Sequence, residues 1–285
     1  MDIRNIQRTG NMFYVYLPTS WCKQFGVDNK AKVQLSTDHN GNLMISPMVK
    51  EKEAKHIDLS IDETNLEVIN KLIVACYINP TKSFRIKLKE KLDQQKLLEQ
   101  KKLLSIELIE MESKQITCES SVMVNEPQLL LKTIINKIKN MLLVMTKNYN
   151  QELINRYEEE IDRNKVLIDK AMINVLTHTQ HLKTKPVYLY YITQIAGDLE
   201  RVADQLLMID KEDDKFFTEV IAKVDVLKGL IEEGFSYKEV ISFVNEILGM
   251  KKSKNVYKDQ IKMYLQNVSE VLMDWAITTE LEGQP

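Results

Sequence analysis

Hydrophobic side chains recur every three to four positions along most of the chain after residue 126. This spacing places them on one face of a helix and predicts an amphipathic helical region. The predicted helices cover 127–148, 150–180, 186–210, 214–232, 237–249 and 256–280. Because the loops between them are short, we expect neighbouring helices to run antiparallel in a bundle that spans 126–285.

The first 48 residues alternate instead between apolar and polar positions in short stretches. Strands are predicted at Phe13–Leu17, Lys32–Ser36 and Leu43–Ser46, the last two joined by a hairpin with an Asn-Gly turn. A short helix at Trp21–Phe25 should end at Gly26. A segment this small buries little by itself, so we expect it to complete its core with a partner chain.

Between these regions the period changes from two to 3.6 and back, which predicts a small α/β segment over 56–121. Its predicted order is β-α-β-α-β-β, a sheet with two helices on one face. The predicted strands are 57–61, 84–88, 105–110 and 115–119, and the predicted helices are 63–77 and 93–104. The domains expected from the pattern are therefore 1–48, 56–121 and 126–285, in a mainly α, multidomain chain.

Composition narrows the functional classes. The chain of 285 residues has a formal net charge of −2, which excludes a polycationic DNA-coating protein but permits a local basic face. Its three cysteines are scattered, which argues against a disulfide framework or a zinc ribbon. No stretch resembles a signal peptide or approaches the ~20 apolar residues of a membrane span. We therefore expect a cytoplasmic protein without membrane insertion.

Two carboxylate pairs mark the second and third predicted bundle helices. Glu158 and Asp162 are four residues apart, as are Glu200 and Asp204, so each pair shares a helix face. In an antiparallel hairpin, residues whose numbers have the same sum lie at the same height. Here 158 + 204 = 162 + 200 = 362, and half of that sum falls close to the turn predicted before Pro186. The four carboxylates are therefore predicted to face each other.

Carboxylates brought this close repel one another unless a cation lies between them. Oxygen-rich sites suit Mg²⁺, Mn²⁺, Ca²⁺ or iron. The alternative is that the four carboxylates lie on solvated helix faces and pair with Arg163 and Arg201. No histidine completes a di-iron pattern within either motif, so we expect no enzyme activity. Glu270 and Asp274 repeat the spacing on the last helix, but no matching pair opposes them.

The N-terminal segment resembles the SpoVT/AbrB (MazE-like) DNA-binding domain over residues 2–48. The resemblance rests on Arg4–Asn11, Tyr14–Trp21, Phe25–Val27 and Leu43–Pro47. It implies a dimeric, swapped-hairpin β-barrel in which two chains interlace their strands.

The same resemblance implies DNA contacts through basic residues of this segment. The candidates are Arg4, Arg8, Lys23, Lys30 and Lys32. Against Asp2, Asp28 and Asp38 they leave 5 − 3 = +2 per chain, or +4 per dimer. Neutralising four phosphates gives a salt dependence with a slope of about −4. The alternative is that this segment only dimerises the protein.

The helical region resembles the PhoU family over about 126–280, on the stretches Glu158–Arg163 and Asp198–Asp204. The resemblance implies that these motifs bind iron or zinc. Together with the oxygen-rich donor set, this leaves iron, zinc, manganese or magnesium as the candidate metals, and no organic cofactor is expected. The sequence departs from the family in the second half of the helical region, where the motif is not repeated intact.

Together the two resemblances indicate an archaeal-type phosphate uptake regulator. The leading hypothesis is a homodimeric transcriptional regulator of phosphate uptake. Its N-terminal segments would bind operator DNA, and its helical bundle would receive the regulatory signal through a metal or a partner. The alternative is an adaptor that binds a phosphate transporter or a signalling protein such as a sensor kinase. A carboxylate-bridged di-metal enzyme is the third and weakest hypothesis.

Overall fold

The computed structural model describes residues 3–37, 41–47, 56–79, 83–91, 93, 109–119, 124–177, 184–209 and 214–283. The chain divides into two compact units, residues 1–54 and 55–285. The protein is mainly helical, and its sheets are small. Within the described ranges, no helix combines the length and apolar character needed to cross a membrane.

In its described residues the first unit contains two antiparallel strand pairs and one short helix. Its elements are β1 Gln7–Thr9, β2 Met12–Tyr14, α1 Thr19–Phe25, β3 Val33–Thr37 and β4 Leu43–Pro47. Strand β1 pairs with β2, and β3 pairs with β4, as two separate two-stranded sheets. Gly26 ends α1 in the left-handed conformation at φ 63°, which confirms the predicted cap.

The sequence prediction for the first hairpin is only partly right. The strand predicted at Phe13–Leu17 is found at Met12–Tyr14, and β1 lies outside the strands predicted from the sequence. Gly10 has φ 61° in the two-residue turn between β1 and β2. This turn matches the twist of the flanking strands, so pairing starts closer to Gly10 than the run of aromatic residues indicates. The predicted dimeric barrel stays a prediction.

The second unit begins with a four-stranded sheet. Its elements are β5 His56–Ile61, α2 Leu66–Ile78, β6 Ser83–Leu88, β7 Ile109–Glu112 and β8 Gln115–Glu119. The strand order is β5-β6-β8-β7, with β5 parallel to β6 and the other pairs antiparallel. The predicted strand 105–110 is found at Ile109–Glu112, and residues 105–108 lie outside the described ranges. The predicted helix 93–104 also lies outside them, apart from Asp93.

One face of the sheet is apolar because its strands alternate. Phe84 and Ile86 of β6 are almost fully buried, and Ile69 and Ile73 of α2 cover this face. The same core includes Val166, which belongs to a helix of the bundle. The sheet and the bundle therefore share apolar contacts within the second unit.

Six helices follow the sheet in the described part of the chain. They are α3 Pro127–Lys147, α4 Gln151–Thr177, α5 Pro186–Leu206, α6 Asp214–Glu233, α7 Tyr237–Leu248 and α8 Val256–Gly283. Each of the six predicted helices is confirmed to within a few residues, and the predicted end of the second, 178–180, lies outside the described ranges. Helix α4 packs against α3 and α5, and α8 packs against α5 and α7. Proline in the first turn of α3 and α5 costs no helical hydrogen bond.

Candidate metal centre

Three carboxylates meet between α4 and α5. The side chains of Glu158, Asp162 and Asp204 each offer an oxygen, and these oxygens all lie within 4.8 Å of one another. Glu158 and Asp162 come from successive turns of α4, and Asp204 comes from the last turn of α5. As predicted from the sequence, the spacing of four residues on α4 brings the two carboxylates to the same face of the helix.

Two of these carboxylates are removed from solvent. Glu158 and Asp162 are each 5 % exposed, whereas Asp204 is half-buried. The alternative of solvated helix faces is therefore wrong for the α4 pair. A buried carboxylate is costly unless hydrogen bonds or a cation compensate its charge.

Glu200 does not belong to this group of three. It is half-buried and has contacts of its own. Because Asp204 reaches both Glu158 and Asp162, Glu200 lies about 6 Å further along α5, four residues at 1.5 Å each. Of the two residues predicted to face the α4 pair, Asp204 therefore meets it. The assignment of Glu200 as a fourth ligand stays a prediction.

The donor set fits a hard cation. Three carboxylates from two rigid helices supply only oxygen, the preferred donor of Mg²⁺, Mn²⁺ and Ca²⁺, and iron also accepts such sites. The Oδ1 atom of Asp162 is buried and accepts no hydrogen bond from the described residues, although this carboxylate has other contacts. Zinc centres more often include nitrogen or sulfur donors. The residues present can therefore hold a divalent cation.

Neighbouring polar residues fix the two helices that carry the cluster. Glu160, on the other side of α4, forms an ion pair with Lys137 of α3. The Lys137 ammonium, hydrogen-bonded to Glu160, holds the pKa of that carboxyl below its usual range. The Nζ atom of Lys137 also lies 5.4 Å from the ring centroid of Tyr157. Within the run Glu158–Glu160, Glu158 thus belongs to the carboxylate cluster and Glu160 links α4 to α3.

Asp198 makes the corresponding link on α5. It is 5 % exposed and accepts hydrogen bonds from Arg201 at 2.9 Å and from Asn267 of α8 at 3.4 Å. Arg201, which the sequence offered as a partner for the predicted cluster, is therefore engaged with Asp198. Sequence reasoning did not assign Asp198 a role, because its partner Asn267 is 69 residues away.

Among the described residues, α8 carries no second group of clustered carboxylates. Glu270 and Asp274 are both exposed, and among the described residues they belong to no group of three metal-type ligands.

The candidate DNA contacts lie on the first unit, and each of the five side chains is exposed. They are Arg4, Arg8, Lys23, Lys30 and Lys32. Arg8 is held locally, since its Nε donates to the carbonyl of Gly10 at 2.9 Å and its guanidinium lies 5.6 Å from the ring centroid of Phe13. The structure thus leaves the five cations on the surface, and their role stays a prediction.

Comparison with known proteins bears on the helical region. No curated protein and no solved structure matches the chain. Residues 128–209 match the PhoU domain family, a segment that contains nearly all of α3, α4 and α5. The resemblance predicted from the sequence is confirmed for this segment, which includes the two helices that hold Glu158, Asp162 and Asp204.

Proposed function

We propose that this chain is a transcriptional regulator of phosphate uptake, in which the first unit binds operator DNA and the PhoU region senses a metal ion. The observation that carries the proposal is the carboxylate cluster of Glu158, Asp162 and Asp204 inside the PhoU domain. The PhoU match supports the role in phosphate homeostasis. The proposal assigns regulation to the cluster and no catalytic step.

The proposed metal would tie α4 to α5. A ligand shifts a conformational equilibrium only by its different affinity for two states, so the ion must favour the helix packing that brings the three carboxylates together. Without the ion, mutual repulsion of the carboxylates opposes that packing. Metal occupancy would thus set the position of α4 against α5.

Helix α4 also reaches the sheet of the second unit. Lys170, eight residues after Asp162, is 3 % exposed and donates from Nζ to the carbonyl of Tyr77 at 3.0 Å. Its Nζ lies 4.0 Å from the Tyr77 ring centroid, and Val166 enters the core of the sheet. Eight residues correspond to about 12 Å of helix. A change at the carboxylates would therefore move a helix that is anchored in the sheet.

The first unit favours a homodimer. None of its described residues is buried, and large apolar side chains are exposed on its strands and loops. Examples are Ile6 at 68 %, Phe13 at 68 %, Tyr16 at 64 % and Leu43 at 63 %. A folded unit this small needs a covering surface for such side chains. A second copy of the same unit would supply it, as the predicted interlaced barrel requires.

The DNA part of the proposal is tested by fluorescence anisotropy of the full chain near 150 mM salt, because phosphate contacts make the affinity depend on salt. The DNA is taken from upstream of the chain's own gene and of phosphate-transport genes, with shuffled DNA for comparison. We expect tighter binding to the upstream DNA and a change in affinity on adding Fe²⁺, Mn²⁺ or Zn²⁺.

The matched variants are Arg4→Ala with Arg8→Ala in the first unit, and Lys251→Ala with Lys252→Ala in the second. The first pair should weaken binding about tenfold or more, since each phosphate contact contributes to affinity and salt slope. The second pair removes exposed lysines outside the first unit and should leave the affinity unchanged. Equal, weak binding to both DNAs would contradict the proposal and favour the adaptor that binds a transporter or signalling protein.

A further inference from the structure

A cleft of about 330 Å³ opens at one end of the helical bundle. Its walls come from the first turns of α3 and α5, from the turn between α6 and α7, and from the C-terminal part of α8. Tyr188, in the first turn of α5, is sixteen residues before Asp204, which corresponds to about 24 Å of helix. The cleft is therefore separate from the carboxylate cluster, and much of its wall lies outside the residues that match PhoU.

One wall of this cleft is aromatic. Trp275 stacks on Tyr188 with ring centroids 5.7 Å apart and an interplanar angle of 29°. Phe235 meets the same indole edge-on, with centroids 5.4 Å apart and an angle of 86°. All three rings line the cleft. Because Tyr188 and Tyr191 already stack on the indole, a planar ring in the cleft would contact the parts of Trp275 and Phe235 that line it.

The polar groups of the cleft carry net positive charge. Glu282, which lies on the same stretch of α8, does not offset this charge. It already forms an ion pair with Lys185 at 2.7 Å and accepts a hydrogen bond from the hydroxyl of Tyr188. Lys132 of α3 lines the cleft and is half-buried, and it forms no ion pair with a described residue. By contrast, Lys137 on the same helix is paired with a carboxylate.

We propose that this cleft binds a small planar aromatic anion, whose ring packs against Trp275 and Phe235 and whose negative group pairs with Lys132. The volume is within the range of small-molecule sites, and the mixture of apolar walls with one or two polar groups is typical of them. The ammonium of Lys132 and the side-chain amide of Gln128 provide donors for a carboxylate or a phosphate. The ligand would bridge α3 and α8, helices that are distant in the sequence.

The test uses the full chain and 2-naphthoate as the probe, with naphthalene-2-methanol as its neutral counterpart. The chain has two tryptophans, so its ¹⁵N spectrum has two indole N–H signals, and Trp21→Phe identifies the one from Trp275. Titration runs to about 5 mM because a fragment of this size binds with a dissociation constant near 1 mM. We expect a saturable shift of the Trp275 signal, with the Trp21 signal unchanged.

The charge argument is tested with Lys132→Gln, and Lys147→Gln serves as the control at the far end of α3. Lys132→Gln should raise the dissociation constant of 2-naphthoate about three- to tenfold, the effect of one partly exposed charge-assisted contact. It should leave naphthalene-2-methanol unaffected, and Lys147→Gln should change neither. The proposal is overturned by a saturable shift at Trp21 alone, by no shift at Trp275, or by equal naphthoate affinity in the wild type and Lys132→Gln.

Discussion

Replacing Asp162 by asparagine should stabilise the metal-free protein. The ligand oxygens of Glu158, Asp162 and Asp204 lie within 4.8 Å of one another, so Asp162 takes part in two repulsive pairs. At 4.8 Å a pair of unit charges repels by about 0.9 kcal/mol in water and about 3.5 kcal/mol at an effective dielectric constant of 20. Two pairs therefore amount to about 2 to 7 kcal/mol. The other contacts of Asp162 are weakened by the substitution, at a cost of about 1–3 kcal/mol.

Middle values of about 4 kcal/mol for the relieved repulsion and about 2 kcal/mol for the weakened contacts leave a net rise of about 2 kcal/mol in the free energy of unfolding of Asp162→Asn when a chelator is present. Bound metal should reverse the order of stability, so that the wild type becomes more stable than Asp162→Asn. At 100 times its dissociation constant a bound ion stabilises the wild type by about 2.7 kcal/mol. The variant, which has lost one of three ligands, should gain much less from the same concentration of ion.

Urea unfolding followed by circular dichroism measures both quantities, with chelator and with Mn²⁺ or Fe²⁺ under anaerobic conditions. Asp274→Asn is the matched control, because Asp274 is an exposed carboxylate on α8 and its replacement should change stability by less than about 0.5 kcal/mol. The reasoning is refuted if Asp162→Asn unfolds at lower urea than the wild type in chelator. It is also refuted if metal stabilises the two proteins equally.

Three further outcomes follow from described residues. Burial raises the pKa of the Cys118 thiol from 9.0 to about 11, so the folded state keeps a proton that the unfolded chain loses. The contribution of this thiol to the free energy of unfolding is therefore complete below pH 9 and falls by about 2 kcal/mol as the pH rises to 11. This dependence of the unfolding free energy on pH should be smaller in Cys118→Ala but unchanged in Cys22→Ala. Ser236→Ala removes the N-cap of α7 and should cost about 1 kcal/mol of unfolding free energy, while Ser242→Ala in the same helix should not destabilise. Phe13→Asp should convert a dimer to a monomer in analytical ultracentrifugation, and an unchanged dimer would place the interface elsewhere.

The bundle was predictable because its signals are local. The apolar spacing defines each helix, and residues such as Pro127, Pro186 and Ser236 mark helix starts that need no tertiary information. The convergence of Glu158 and Asp162 also follows from spacing alone. Their burial does not, since it depends on how α4 packs against α3 and α5.

The contacts that join distant segments were not predictable from the sequence. Asp198 is fixed by Asn267, and Lys170 by the carbonyl of Tyr77, 93 residues away. Such pairs depend on the packing of whole elements, which a periodic pattern does not specify. The aromatic cleft around Trp275 has the same origin, because its walls come from four parts of the chain.

The central claim is that Glu158, Asp162 and Asp204 bind a metal ion together. Anomalous diffraction from crystals grown with Mn²⁺, Fe²⁺ or Zn²⁺ and measured at the absorption edge of each metal tests it most directly. The account predicts a strong anomalous peak between α4 and α5, with oxygens of all three carboxylates at about 2.0–2.2 Å, the coordination distance of small divalent cations. A peak elsewhere on the chain, or none between these helices with any of the three metals, would contradict it.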